Sequence, residues 1–127
     1  MEKVILSTEL APRAIGPYSQ AVRVGQFVFL SGQLGVDVKS GLLKEGVEAQ
    51  THQVLDNIGA VLSSLGLDYS HVVKTLVFVR DLEDFDSINK IYSTVFSDAP
   101  PARSLVEVSR LPKRALIEIE CIAVYPE

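Results

Sequence analysis

Several things are scarce or missing in this 127-residue chain, and each absence closes off a class of function. It holds one cysteine, Cys121, so no internal disulfide can form, as expected of a protein kept in a reducing compartment. No apolar run approaches the roughly 20 residues of a membrane span. The amino terminus, MEKVILSTELAPRAIG, lacks the basic start and long apolar stretch of a secretory signal. A soluble cytoplasmic protein is therefore expected. There is no excess of positive charge: 12 Lys plus Arg stand against 16 Asp plus Glu, a net charge of −4. Such a surface repels phosphate backbones and makes nucleic acid an unfavourable partner. The two histidines, His52 and His71, have no second ligand at metal-binding spacing. Phosphate-binding glycine loops, dinucleotide fingerprints and nucleophile elbows are also missing.

Hydrophobic residues are plentiful, at 47%. That is enough for one domain, residues 1–127, to build a core without staples. A first strand is expected over residues 3–7. A loop carrying Pro12, Gly16 and Pro17 follows, then strands over 19–24 and 26–31 pivoting at Gly25. Val47, Thr51, Val54, Leu55, Ile58, Val61, Leu62 and Leu65 recur at helical spacing, and Gly66 is a suitable stop. Residues 72–80 are rich in Val, Thr and Phe and read as a strand. Asp84 is placed to cap a second helix that buries Phe85, Ile88, Ile91, Tyr92, Val95 and Phe96 and ends at Pro100.

The last third, PPARSLVEVSRLPKRALIEIEC, reads as two strands joined by a tight turn near Pro112. Along residues 116–124 both alternation sets are apolar. Ile117, Ile119, Cys121 and Ala123 share one face; Leu116, Ile122 and Val124 share the other with Glu118 and Glu120. The order is βββαβαββ, an α+β arrangement with two helices on one face of a mixed sheet. The other face keeps aliphatic side chains, and a patch of that kind usually marks association, here with copies of the same chain in a closed ring.

A carboxylate among aliphatic neighbours needs a partner, a shifted pKa or a substrate. Glu118 and Glu120 are thus candidates for general acid/base work, or else for ion pairs with Arg110, Lys113, Arg114 or a neighbouring copy. Arg103 offers a planar fork that fits a carboxylate, either of a ligand or of Glu118 or Glu120. With a turn centred near Pro112 it would share a face with both glutamates; a slip of one residue would reverse that. Gly16-Pro17-Tyr18-Ser19 presents an aromatic hydroxyl, and Ser31-Gly32-Gln33 ends a strand where a glycine admits close approach. Both also suit plain turns. Cys121 faces the apolar set and reads as a buried inert thiol.

Several separated motifs in one order carry a resemblance. Pro101-Ala102-Arg103-Ser104, Val106-Glu107-Val108, Arg110-Leu111-Pro112 and the run from Ile117 to Val124 resemble the RidA (YjgF) family. So do the run from Ala14 to Ala21, Ser31-Gly32-Gln33, residues 50–57 and residues 74–81. The resemblance implies a chorismate-mutase-like fold and a homotrimer with three sites in clefts between subunits. It implies hydrolytic deamination of reactive enamines and imines such as 2-aminoacrylate, giving 2-keto acids and ammonia, with no cofactor or metal. It makes Glu118 and Arg103 catalytic, with Arg103, Tyr18, Ser31 and Gly32 binding the substrate. An endoribonuclease or translation inhibitor, and a non-catalytic ligand-binding or chaperone-like trimer, are the alternatives. Two departures stand out. Leu105 occupies a position where many relatives carry a cysteine, which rules out thiol regulation there. The segment from Ser97 to Pro101 is shorter than in some relatives, which is expected to reshape a pocket wall.

Overall fold

The computed structural model describes residues 2–127. Its strands are β1 (Lys3–Leu6), β2 (Ala21–Val24), β3 (Phe27–Leu34), β4 (Val72–Val79), β5 (Ala102–Glu107) and β6 (Ile117–Val124). The helices are α1 (Val47–Ser64) and α2 (Phe85–Tyr92). The order βββαβαββ is the expected one. The six strands form one sheet in the order β1-β2-β3-β6-β4-β5. β4 and β5 are parallel; every other neighbouring pair is antiparallel.

That order corrects one expectation. β5 and β6 are not a hairpin, because β4 lies between them and pairs with both. The β4–α2–β5 segment is a strand–helix–strand unit, and such a crossover returns the chain parallel to its first strand. The turn at Pro112 joins two strands that do not share hydrogen bonds.

α1 buries Thr51, Val54, Leu55, Ile58, Val61 and Leu62 against the sheet. It stops because Gly66, at φ 75°, turns left-handed after Leu65. The Leu67 amide then reaches the Leu62 carbonyl (2.9 Å) and the Gly66 amide the Ser63 carbonyl (3.1 Å), a Schellman close. α2 departs from expectation at both ends. Asp84 makes no capping bond; Asp81 accepts from the Glu83 amide (2.9 Å), because the chain enters through a short 3₁₀ turn at Leu82–Asp84. The helix ends at Tyr92, where the hydroxyls of Ser93 and Thr94 bond back to the carbonyls of Lys90 and Ile91. Phe96 is still buried, stacked on Tyr92 at 4.7 Å, but it rides on a turn.

Both helices lie on one face of the sheet. Val28, Leu30, Val77, Val79, Ile117, Ile119, Cys121 and Ala123 point into that layer and are almost wholly buried. The opposite face is open. Phe27 and Phe29, 52% and 45% exposed, stand there beside half-buried Ile122 and Val124, with Val106 exposed further along.

Two buried amides tie α1 to the strand ends. Asn57 donates to the carbonyls of both Leu34 and Val36, each at 3.0 Å. Gln50 donates to the Lys44 carbonyl (2.9 Å) and accepts from the Leu116 amide (2.8 Å). Asn57→Ala would strand two buried carbonyls, at about 2–4 kcal/mol in all. Urea denaturation at fixed protein concentration should show a loss of that size; one below about 0.5 kcal/mol would contradict the role given to Asn57.

Candidate functional site

The site begins with an irregularity in β3. Leu30 stands opposite Cys121, yet Gln33 stands opposite Ile119, so Ser31 and Gly32 together face Glu120. This is a β-bulge, and bulges re-aim side chains beside functional sites. Ser31-Gly32 thus lies inside β3, not at its end as the sequence suggested, and the strand continues to Leu34.

The Glu118 carboxylate lies on the bare backbone of Gly32. A Cβ on Gly32 would sit 1.9 Å from Glu118 Oε2 and 2.8 Å from its carboxyl carbon. No side chain larger than hydrogen can occupy position 32 while Glu118 stays where it is. Glu118 is half-buried and points to the open face; Glu120 is on the same face and exposed. Burial, with a smaller contribution from Glu120, raises the Glu118 carboxyl above its ordinary value near 4.5. No ion pair compensates: among the described residues the one Lys or Arg pair is Lys44–Asp37, and the His71–Asp68 contact is remote from both glutamates. The alternative read from the sequence, ion pairing of either glutamate with Arg103, Arg110, Lys113 or Arg114, is not found among the described residues.

Glu118, Gly32, Ser31 and Tyr18 line one open cleft of about 1370 Å³, with Ile15 and Lys113 on its walls. Ser31 Oγ donates to the Ser19 carbonyl at 2.6 Å, so toward a ligand it can only accept. The Tyr18 hydroxyl accepts a long bond from the Ile15 amide (3.4 Å) and keeps its own proton free to donate. Four residues singled out from sequence thus come together.

Arg103 does not join them. It pairs in register with Thr75 of β4, which stands opposite Cys121 of β6 and points to the helix layer. The register expected from a hairpin put it on the glutamates' face; the inserted β4 puts it on the other. Its Nη1 donates to Asn89 Oδ1 at 2.7 Å. Its guanidinium carbon lies 4.8 Å from the Tyr92 ring centre and 5.9 Å from that of Phe85. Tyr92 is held by a 2.7 Å hydroxyl contact with Thr75, and burial raises its pKa. This cradle of one amide and two rings fixes the cation in place. The sequence reading missed Asn89, whose signal was its position in α2, the helix that leads into β5.

The remaining candidates are structural. Cys121 is buried, and desolvation pushes its thiol up to about 12. His71 Nδ1 accepts from the Asp68 amide (3.0 Å) as part of a cap, and His52 is exposed. Leu105 is packed against the core. The segment from Ser97 to Pro101 leads into β5 and does not line the Glu118 cleft.

A scan of protein families matches residues 8–125 to the family described as Endoribonuclease L-PSP. The 2-iminobutanoate/2-iminopropanoate deaminase of Salmonella typhimurium is 50% identical over 127 residues, covering 98% of each chain. Reactive Intermediate Deaminase A, chloroplastic, of Arabidopsis thaliana is 51% identical over 97% of this chain and 66% of its own length. The crystal structure of the Escherichia coli YjgF gene product superposes with a TM-score of 0.93 at 47% identity, covering 97% of this chain and 99% of the other. The fold is that of the small α+β proteins of this group. The chain belongs to the RidA (YjgF) family.

The raised Glu118 pKa fixes a sign. Such a group favours the folded state fully below its ordinary value near 4.5, and that contribution is lost as pH rises through the higher folded value. Glu118→Gln removes the loss. Melting temperatures at fixed protein concentration should place the variant increasingly above the native chain as pH rises from 4.5 toward 8; a flat or shrinking gap would contradict the electrostatics.

Proposed function

We propose that this chain is a hydrolytic deaminase of small enamine and imine acids of the 2-aminoacrylate type. The products are 2-keto acids and ammonia. It acts as a closed ring of three copies, in the reducing cytoplasm that suits its one buried thiol. Two named deaminases among its relatives support the chemistry. One observation carries the assembly: the acid/base group and the cation of a single chain stand apart. Arg103 is level with Cys121, and Glu118 with Phe78, three residues along and two strands over. Sheet spacings put their Cα atoms about 14 Å apart, with side chains on opposite faces. A three-carbon acid cannot span that, so the two must meet from different copies. The open face, with Phe27 and Phe29 exposed, is the surface that such a ring would cover.

In the composite site Arg103 grips the substrate carboxylate through charge-assisted hydrogen bonds, each worth roughly 1.5–3 kcal/mol. Asn89 and Tyr92 hold the fork rigid. Glu118, protonated more readily than an ordinary carboxyl, gives a proton to the enamine carbon and leaves the protonated imine, an iminium. The carboxylate so formed takes a proton from water as the oxygen adds to the imine carbon. It then returns that proton to the carbinolamine nitrogen. Ammonia leaves as the carbinolamine hydroxyl gives its proton back to Glu118; the carbonyl forms, the acid is restored, and one water has replaced one nitrogen. Ser31 Oγ, able only to accept, suits the substrate N–H, and the free Tyr18 proton suits an oxygen. These steps use side chains and water alone. The ribonuclease alternative draws on the family description, but a pocket that holds the half-buried Glu118 carboxyl is a poor host for phosphates.

Arg103→Ala and Glu118→Gln should each reduce keto-acid release to near the buffer rate, followed in an assay coupled to a dehydratase that generates the imine. Mixing the two inactive proteins, with subunits allowed to exchange, should restore about a quarter of native activity, because each mixed ring contains one intact site. No recovery despite proven exchange would place both groups in one subunit's site and overturn the composite reading.

A further inference from the structure

Residues 8–18 form a wall of the Glu118 cleft without belonging to any strand or helix. Three hydrogen bonds inside this segment shape it: Leu10 N to Thr8 Oγ1, Ile15 N to the Tyr18 hydroxyl, and Tyr18 N to the Gly16 carbonyl. None of these fastens it to the rest of the fold.

Ala11 packs into the core, and the hydrogen-bonded fastening runs through one side chain. Gln20 is 4% exposed. Its Nε2 donates to the carbonyls of Thr8 (3.1 Å), Ala11 (3.4 Å) and Pro12 (2.8 Å), and its Oε1 accepts from the Thr8 amide (2.6 Å). Among the described residues, every hydrogen bond tying 8–18 to the rest of the chain ends on this amide. The Gln20 carbonyl meanwhile accepts from the Ser31 amide (2.9 Å), at the bulge on which Glu118 lies. One residue thus grips the wall with its side chain and the bulge with its main chain. Only a primary amide can accept from one amide while donating to carbonyls on the same loop.

We infer that Gln20 is a positioning residue that sets substrate affinity by holding the 8–18 wall, and with it Tyr18 and Ile15, at a fixed distance from Glu118. It borders the cleft, but its amide is spent on the loop and is given no part in the chemical step. Its loss loosens the wall and leaves Glu118 on Gly32, so binding suffers and the chemical step does not. The kinetic part of this inference rests on the deaminase reading; the part concerning the wall does not.

The test uses the native chain, Gln20→Leu and Gln20→Glu, each examined by amide hydrogen exchange and by steady-state kinetics on enzymatically generated 2-iminopropanoate. Gln20→Leu should unprotect the Thr8 amide while amides of β3 and β6 keep their protection. KM should rise about tenfold with kcat within about twofold. Gln20→Glu keeps the acceptor for Thr8 but loses the donor, and should fall between the two; it carries the test if the leucine variant does not fold. Unchanged Thr8 protection, or a lower melting temperature with KM unmoved, would overturn the inference. A native chain that does not turn over the imine would refute the deaminase reading alone, and Thr8 exchange would still decide the role of Gln20.

Discussion

The contact between the Glu118 carboxylate and the bare backbone of Gly32 is what the site depends on. It needs the bulge in β3, which removes one residue from the ladder and opens a seat beside β6. It needs a residue without Cβ at that seat. It also accounts for the electrostatics: a carboxyl pressed against main chain, beside another glutamate and with no cation paired to it among the described residues, holds its proton more tightly than usual. In the proposed reaction Glu118 both gives and takes a proton, and a raised pKa favours the giving step.

The rest of the molecule serves this seat by holding what surrounds it. Asn57 and Gln50 pin the end of β3 and the start of β6 to α1. Gln20 links the cleft's loop wall to Ser31. On the far side of the sheet, Asn89, Tyr92 and Phe85 present Arg103 in a fixed orientation with no carboxylate of the described residues in its fork. A cation so prepared and an acid so perturbed, on opposite faces of one sheet, are two halves of a site in the proposed ring. In that ring the apolar open face would supply the driving force for association.

Much was legible in the chain because it follows from local periodicity. The alternation along β6 assigned Ile117, Ile119, Cys121 and Ala123 to the buried face and both glutamates to the other, as found. The three-and-four spacing of α1 and its stop at Gly66 held to within a residue. The hairpin of β5 and β6 failed because a plausible turn at Pro112 says nothing about which strand wins the hydrogen bonds. The parallel crossover through α2 was the competing signal, and it decided the outcome. The reach of α2 failed for a smaller reason: apolar spacing continued to Phe96, but the hydroxyls of Ser93 and Thr94 turned back on the helix carbonyls and ended it.

By itself the amino-acid order determined the elements, their buried faces and the short set of side chains able to do chemistry, since each depends on neighbours a few positions away; the family showed in separated motifs kept in one order. Tertiary structure alone decided that Tyr18, Ser31, Gly32 and Glu118 share a cleft and that Arg103 stands behind the sheet. Strand order and a single-residue bulge settle which faces meet, and both come from long-range hydrogen bonding that no local pattern encodes.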